Sequence, residues 1–264
     1  MREHQDVPLY LKAFGEFVDH SIRLERYGTD SHDILMDQLK SGSVIVPFNH
    51  RSIIDPLVVM RELRGMGGGS LTRLVLPATM KFFDGRMGYT AANLMHYVAK
   101  KYNAELLPII QHYDAAYSDE EKFANHRGVI ETILAALEEK GSVIALSPEG
   151  TRSPTSQLLP AQKGIDLFMR KSPDSLVLPV ALVGTERIVG HEYNSVNPFH
   201  RATITYGFPM KAGEINDFSR NIQIPSRDFV MLQIAAQLPQ CDRGCYGQEH
   251  FPWFYDLLEM PQTE

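Results

Sequence analysis

Short apolar, β-branched runs alternate with amphipathic stretches along most of this chain, and that alternation predicts its elements. Residues 7–26 (VPLYLKAFGEFVDHSIRLER) place Leu11, Phe14, Phe17, Val18 and Ile22 at helical spacing, with Pro8 suited to a first turn. A helix there either packs on a core or lies on a membrane surface. Gly42 precedes the strand-like run 43–48, and an apolar helix near 56–64 leads into a loop with Gly65, Gly67, Gly68 and Gly69. A strand over 71–79, a helix over 91–101 and a strand over 104–110 follow. The clearest helix spans 123–140, where Val129, Ile130, Ile133, Leu134 and Leu137 form one face and Gly141 is the natural stop. The runs 142–147 and 175–183 are short and apolar enough for strands covered on both faces. Residues 201–207 form a later strand, and Ser226 is placed to cap a last helix through Leu238.

Strand–helix alternation of this kind predicts an α/β fold: a central, mostly parallel sheet flanked by helices, with an N-terminal amphipathic helix. The expected organisation is an N-terminal helical segment over 1–40, a main domain over 41–215, and a helical, aromatic extension over 216–264 packed on that domain. In such sheets ligands bind where strands end and loops enter helices. The chemistry is therefore sought just after 43–48, 71–79, 104–110, 142–147 and 175–183.

At 264 residues the chain is long enough to bury a core without disulfide or metal staples. Cys241 and Cys245 are too few for a disulfide framework, and their spacing suits reduced thiols or at most half a metal site. His96, His112, His126, His191 and His200 show no metal-ligand spacing, so no metal or cofactor is expected. The net charge of −6 is uneven: the last 24 residues carry five acids against one base, and the other 240 carry 27 acids against 25 bases. A near-neutral body argues against nucleic acid as a partner and leaves room for a local basic patch. No run reaches the ~18 apolar residues of a spanning helix, and the first ten residues lack the apolar core of a secretory signal. The expected location is the cytoplasm, at a membrane surface. The aromatic tail 250–260 either dips into a bilayer interface or docks on the core.

Two loops carry chemistry. After the first apolar strand comes Asn49-His50-Arg51-Ser52-Ile53-Ile54-Asp55-Pro56, with Pro56 placing Asp55 near a helix start. There the Asp55 carboxylate can accept from the imidazole Nδ1–H and fix the tautomer, leaving Nε2 to take a proton from a hydroxyl. An aspartate capping a helix beside an unrelated loop histidine is the structural alternative. After 142–147 comes Ser147-Pro148-Glu149-Gly150-Thr151-Arg152-Ser153. Gly150 permits close backbone approach, Arg152 can hold a phosphate bidentately, and Thr151 and Ser153 add donors. An ordinary polar turn would share this composition.

Together these blocks resemble the glycerolipid acyltransferase family, which includes glycerol-3-phosphate and 1-acylglycerol-3-phosphate acyltransferases. Asn49, His50, Ser52 and Asp55 match its Asn-His-x-x-Ser-x-x-Asp block. Pro148 to Ser153 match its Phe-Pro-Glu-Gly-Thr-Arg-Ser block, with Ser147 in place of the Phe. Lys81 with Gly85 or Gly88 loosely matches an intervening Lys-containing segment, and Gln162-Lys163-Gly164 is similar to a downstream Lys-Gly segment. Val177-Leu178-Pro179-Val180 and Ile204-Thr205-Tyr206-Gly207 are similar to the family's later blocks, so the likeness runs from about residue 40 to 210.

The resemblance implies transfer of a fatty acyl group from acyl-CoA or acyl-carrier protein to a hydroxyl of a glycerolipid acceptor, lysophosphatidic acid foremost. His50 is then the general base and Asp55 its orienter, with Glu149, Gly150, Thr151, Arg152, Ser153, Lys81 and Lys163 shaping the acceptor site. Membrane contact is expected to be peripheral. One departure stands out: where the family often places an Arg after its second apolar run, this chain reads Gln111, His112 and Tyr113. Arg127 and Lys81 are the nearby cations that can substitute. That departure favours another lysophospholipid or alcohol acceptor, or a non-catalytic relative that binds lipid or acyl thioester.

Overall fold

The computed structural model describes residues 8–17, 19, 22–86, 89–190, 196–197 and 199–259. Val18, Gly88, His191 and Met260 lie outside the described residues. In chain order the elements are α1 (Leu9–Glu16), β1 (Arg23–Tyr27), α2 (Ser31–Ser41), β2 (Val44–Pro47), α3 (Asp55–Gly67), β3 (Arg73–Thr79), α4 (Tyr89–Lys101), β4 (Ala104–Ile109), α5 (Asp119–Leu137) and β5 (Ser142–Leu146). There follow α6 (Gly164–Lys171), β6 (Leu176–Val177), β7 (Val180–Val183), α7 (Thr185–Ile188), β8 (Arg201–Tyr206), β9 (Met210–Lys211), α8 (Ala212–Asn221), α9 (Ser226–Ala236) and α10 (Pro252–Glu259).

The main sheet has the order β4-β3-β5-β2-β6-β9. All its neighbours run parallel except the antiparallel β6–β9 pair. Central strands of a parallel sheet are apolar on both faces, and β2 and β5 are buried at every position. Alternate residues feed two cores. Val44, Val46, Leu74, Leu76, Val143 and Ala145 meet α2, α3 and α4, which contribute Leu39, Val58 and Val98. Ile45, Val75, Ile144 and Leu146 meet α5, α6, α9 and α10, which contribute Ile133, Met169, Val230 and Phe254.

The second sheet, β1-β8-β7, corrects two expectations. The helix expected over 7–26 ends within that span: Arg23–Tyr27 is a strand, paired in parallel with β8 from Arg23↔Arg201 to Tyr27↔Thr205. Main-chain pairing outweighs the helical spacing, and both side-chain registers find partners. Leu24 packs on the first core, Arg26 holds Glu62 through a fork at 2.6 and 2.9 Å, and Glu25 meets Arg201 at 3.0 Å. Ile22 is buried and Phe17 packs partly on the same core. The described residues ahead of residue 41 therefore form helix, strand and helix and are not helical throughout.

The single strand expected over 175–183 is two. β6 belongs to the main sheet and β7 to the second, with the chain crossing at Leu178-Pro179. Pro179 lacks an N–H for a ladder, and its carbonyl accepts the Gly207 N–H at 2.8 Å instead. Two smaller differences sit at helix ends. α5 starts at Asp119 behind a Ser118/Glu121 capping box, and Ser226 is the first residue of α9, its Oγ bonded to Asn216 Oδ1 at 2.8 Å rather than capping. The expected last helix is followed by α10. Phe254 and Tyr255 are buried in the second core, while Leu257 and Leu258 stay exposed. Among the described residues no helix is long and apolar enough to cross a membrane.

Candidate active site

β2, β3, β4 and β5 run the same way, so their carboxyl ends form one edge of the sheet, about 4.8 Å apart from strand to strand. The loop after β2 carries residues 49–55 and the loop after β5 carries 147–153. Those two strands are neighbours, which brings both sequence blocks together.

His50 Nδ1 lies 3.0 Å from Asp55 Oδ2, with the imidazole 19% exposed and the carboxylate fully buried. The same oxygen accepts the Arg51 N–H at 2.5 Å and the Ser52 N–H at 2.6 Å. Asp55 is the first residue of α3, ahead of Pro56, so the positive end of the helix adds to those donors. A carboxylate so held keeps Nδ1 protonated and leaves Nε2 as the basic ring nitrogen. The structure thus brings the expected pair into hydrogen-bond contact.

The second block holds the first by its main chain. Glu149 is 2% exposed, and its two carboxylate oxygens accept the His50 N–H at 2.8 Å and the Leu159 N–H at 2.9 Å. Burial pushes this carboxyl up to about 7, against the downward pull of those two N–H groups, and the Asp55 charge adds to the rise. The Ser153 N–H closes the bracket by donating to the His50 carbonyl at 2.8 Å. Glu149 and Ser153 therefore sit in the framework beneath His50, their polar groups turned to protein. Gly150 adopts φ +71, a backbone that favours glycine, and a Cβ there would stand 3.1 Å from Gln162 Cγ. Thr151 and Arg152 are half-buried in the same loop. Among the described residues the buried Ser147 hydroxyl, just past the end of β5, has no partner.

Lys81 follows β3 in a short 3-10 turn, with its Nζ 5.9 Å from the centroid of the Tyr113 ring. It thus stands beside the residues that follow β4, where the sequence lacks the expected arginine. Arg127 does not fill that gap. It pairs with Glu131 at 2.8 Å one turn along an exposed face of α5. Arg86 is engaged too, donating to both Asp114 oxygens at 2.7 Å and to Asp84 at 2.6 Å. Lys163 is exposed at the start of α6 and is joined to the site through its neighbour, whose N–H donates to the Pro148 carbonyl at 2.7 Å. Cys241 and Cys245 are free thiols, and among the described residues no cluster of His, Cys, Asp and Glu is placed to hold a metal ion.

Sequence reasoning missed the anchors behind the loop. The Asn49 side chain bonds both main-chain groups of Leu182, at 2.9 and 2.7 Å, so β7 acts as its partner strand. The Ser52 hydroxyl donates to the Val189 carbonyl at 3.0 Å. Arg51, 4% exposed, reaches Asp242 at 2.9 Å and Glu186 at 3.2 Å. A charged residue inside a block dense with polar groups was the only signal for it.

The arrangement is a histidine held by a buried carboxylate, with no partnered serine or cysteine nucleophile at hand among the described residues. It can take a proton from a hydroxyl that attacks a carbonyl directly. The acyltransferase family model matches residues 31–183, a span that covers both blocks. No curated protein matches the chain.

Proposed function

The chain belongs to the acyltransferase family, and from that premise we propose that it moves a fatty acyl group from acyl-CoA or acyl-carrier protein to a hydroxyl of a glycerolipid acceptor, lysophosphatidic acid foremost. The observation that carries this reading is the 3.0 Å contact between His50 Nδ1 and the buried carboxylate of Asp55 at the head of α3. His50 Nε2 takes the proton of the acceptor hydroxyl as its oxygen attacks the thioester carbonyl. The carbon–sulfur bond breaks, the thiolate leaves, and the proton returns to it, giving an ester and a free thiol. Asp55 holds the ring and offsets the positive charge it acquires. Arg152 and Lys81 are the cations for an acceptor phosphate, with Thr151 and Gly150 lining the approach, Lys163 at its rim and Ser153, 2% exposed, buried beneath His50 instead of reaching the acceptor. Glu149 contributes by fixing the main chain of His50.

Substrates and product are lipids, so we place the enzyme peripherally at a membrane, on the cytoplasmic side. Leu9 and Tyr10 of α1 and Leu257 and Leu258 of α10 supply exposed apolar contacts for it.

The test is thiol release from palmitoyl-CoA with glycerol 3-phosphate, lysophosphatidic acid and lysophosphatidylcholine offered separately. Release with lysophosphatidic acid, reduced about 10²–10⁴-fold by His50→Ala, is the expected result. A second reading has one specific support, the lack of an arginine after β4. It gives the site to another lysophospholipid or alcohol, and activity confined to lysophosphatidylcholine would select it. Ligand binding and every assay unchanged by His50→Ala would instead favour a non-catalytic binder of lipid or acyl thioester.

A further inference from the structure

The loop that carries His50 faces two ways. His50 turns its ring to Asp55, while the side chains on either side of it turn the opposite way, Asn49 to Leu182 of β7 and Arg51 to Glu186 and Asp242. Arg51 is 4% exposed, and its two acidic partners are each 17% exposed at the side chain. Asp242 makes the shorter contact, 2.9 Å from Nη1, and Glu186 Oε1 lies 3.4 Å from Nη2. Both partners lie beyond the family-matched span of 31–183. Asp242 is itself fixed: its carbonyl accepts the Leu158 N–H at 3.0 Å, next to the Leu159 N–H that Glu149 holds at 2.9 Å.

We propose that Arg51 and Asp242 are positioning residues for the acyl-transfer step, their part-buried ion pair setting the orientation of the His50 imidazole from the C-terminal segment. The proposal rests on the acyl-transfer reading above. The coupling is short and runs through one atom. Asp55 Oδ2 accepts both the His50 Nδ1–H and the Arg51 main-chain N–H. A displacement of the Arg51 backbone therefore shifts the oxygen that holds the catalytic ring. A guanidinium this buried stays only while its charge is met, and loss of a partner drives it toward water with its backbone in tow. A misplacement on the order of 1 Å at a catalytic group costs up to about 10²-fold in rate.

The experiment compares Asp242→Ala, Asp242→Glu, Arg51→Gln and the double variant Arg51→Gln/Asp242→Ala with wild type, in thiol release and in the His50 imidazole NMR signal, assigned with His50→Ala. The proposal expects Asp242→Ala to lower kcat by about tenfold to hundredfold with both KM values within about twofold, and to shift the imidazole signal. Asp242→Glu restores most of kcat, and the double variant is no worse than the poorer single. If Asp242→Ala does not fold, Asp242→Asn, which keeps the shape and one acceptor oxygen, reads the same split. Unchanged kcat, a loss carried by KM, single effects that multiply in the double variant, or a loss that tracks melting temperature without rescue by Glu would each overturn it. Wild type silent with every acceptor defeats the acyl-transfer reading and not the clamp. In that case an imidazole signal unmoved by Asp242→Asn overturns the clamp, and a shifted one upholds it.

Discussion

Asp55 Oδ2 gathers three N–H donors, and this concentration makes the residue hard to replace. Asparagine can present its one carbonyl oxygen to those donors, but its NH2 then lies buried where Asp55 Oδ1 has no partner among the described residues. It also removes the charge that would stabilise a protonated imidazole. Asp55→Asn is therefore expected to lower kcat about 10²–10⁴-fold, while affinity for acyl-CoA, measured by calorimetry, changes little. Loss of affinity instead of rate would place Asp55 in ligand binding. Glu149 poses a different residue-scale problem, because it is buried and shared between two loops. Its carboxyl ionises near 7 in the fold against an ordinary value of 4.5. Over that interval the folded protein keeps a proton that the unfolded chain has released, so the Glu149 contribution to stability falls as pH rises from about 4.5 to about 7 and levels off above. The size is on the order of 3 kcal/mol. Urea midpoints measured across this range should decline more steeply for wild type than for Glu149→Gln, and parallel profiles would refute the assignment.

At the scale of elements, β4 is an edge strand whose end is held by a helix. Asn125 of α5 accepts the Ile110 N–H at 2.8 Å and donates to the Pro108 carbonyl at 2.9 Å, pairing main-chain groups that a further strand beside β4 would otherwise meet. The half-buried ring of His126 adds a bond to the Ile110 carbonyl at 2.6 Å. Asn125→Ala leaves both groups unpaired, and a loss of about 1–3 kcal/mol in urea unfolding is expected; a loss under about 0.5 kcal/mol would mean that water replaces the side chain at no cost. The same scale shows what the sequence could carry. β2 and β5 were legible because strands covered on both faces must be continuously apolar, β3 and β4 because each holds a shorter apolar run, and α5 because Ile133 and Leu137 recur at the spacing of one face. β1 was hidden because RLERY carries one aliphatic residue, and its reasons to be extended lie in β8 and Glu62, far along the chain. The break at Pro179 was visible as a proline, but that the chain changes sheets there depends on Gly207. His50 and Asp55 were legible because both lie in one loop. The partners of Arg51 were not, since they lie 135 and 191 positions away.

At the scale of the whole molecule, the family-matched span is less than a folding unit. Residues 31–183 end at β7, so β8 and β1 would be lost and the bare edge of β7 exposed. The second core suffers more. Ile144, Leu146, Ile165, Phe168, Met169 and Ala181 are covered by Phe229, Val230, Leu232, Ile234, Tyr246 and Phe254, all beyond residue 183. That cover is tied down by polar contacts as well as packing. Tyr246 OH donates to Asp228 at 2.8 Å and accepts the Ala161 N–H at 3.0 Å, and the Arg243 guanidinium lies 4.4 Å from the Tyr255 ring centroid. Each large apolar side chain left bare forfeits about 1.5–3 kcal/mol of burial, so only a few such losses exceed the 5–15 kcal/mol by which a domain is normally stable. A fragment of residues 31–183 is therefore expected to show no cooperative thermal transition by near-ultraviolet circular dichroism and to bind a hydrophobic dye, whereas the full chain melts cooperatively. If the fragment melts cooperatively on its own, the C-terminal segment is an ornament on a finished domain. The expected failure would mean that the segment holding Arg51 beside the candidate site is the same one that closes the core, so the geometry around His50 and the completion of the fold are set together.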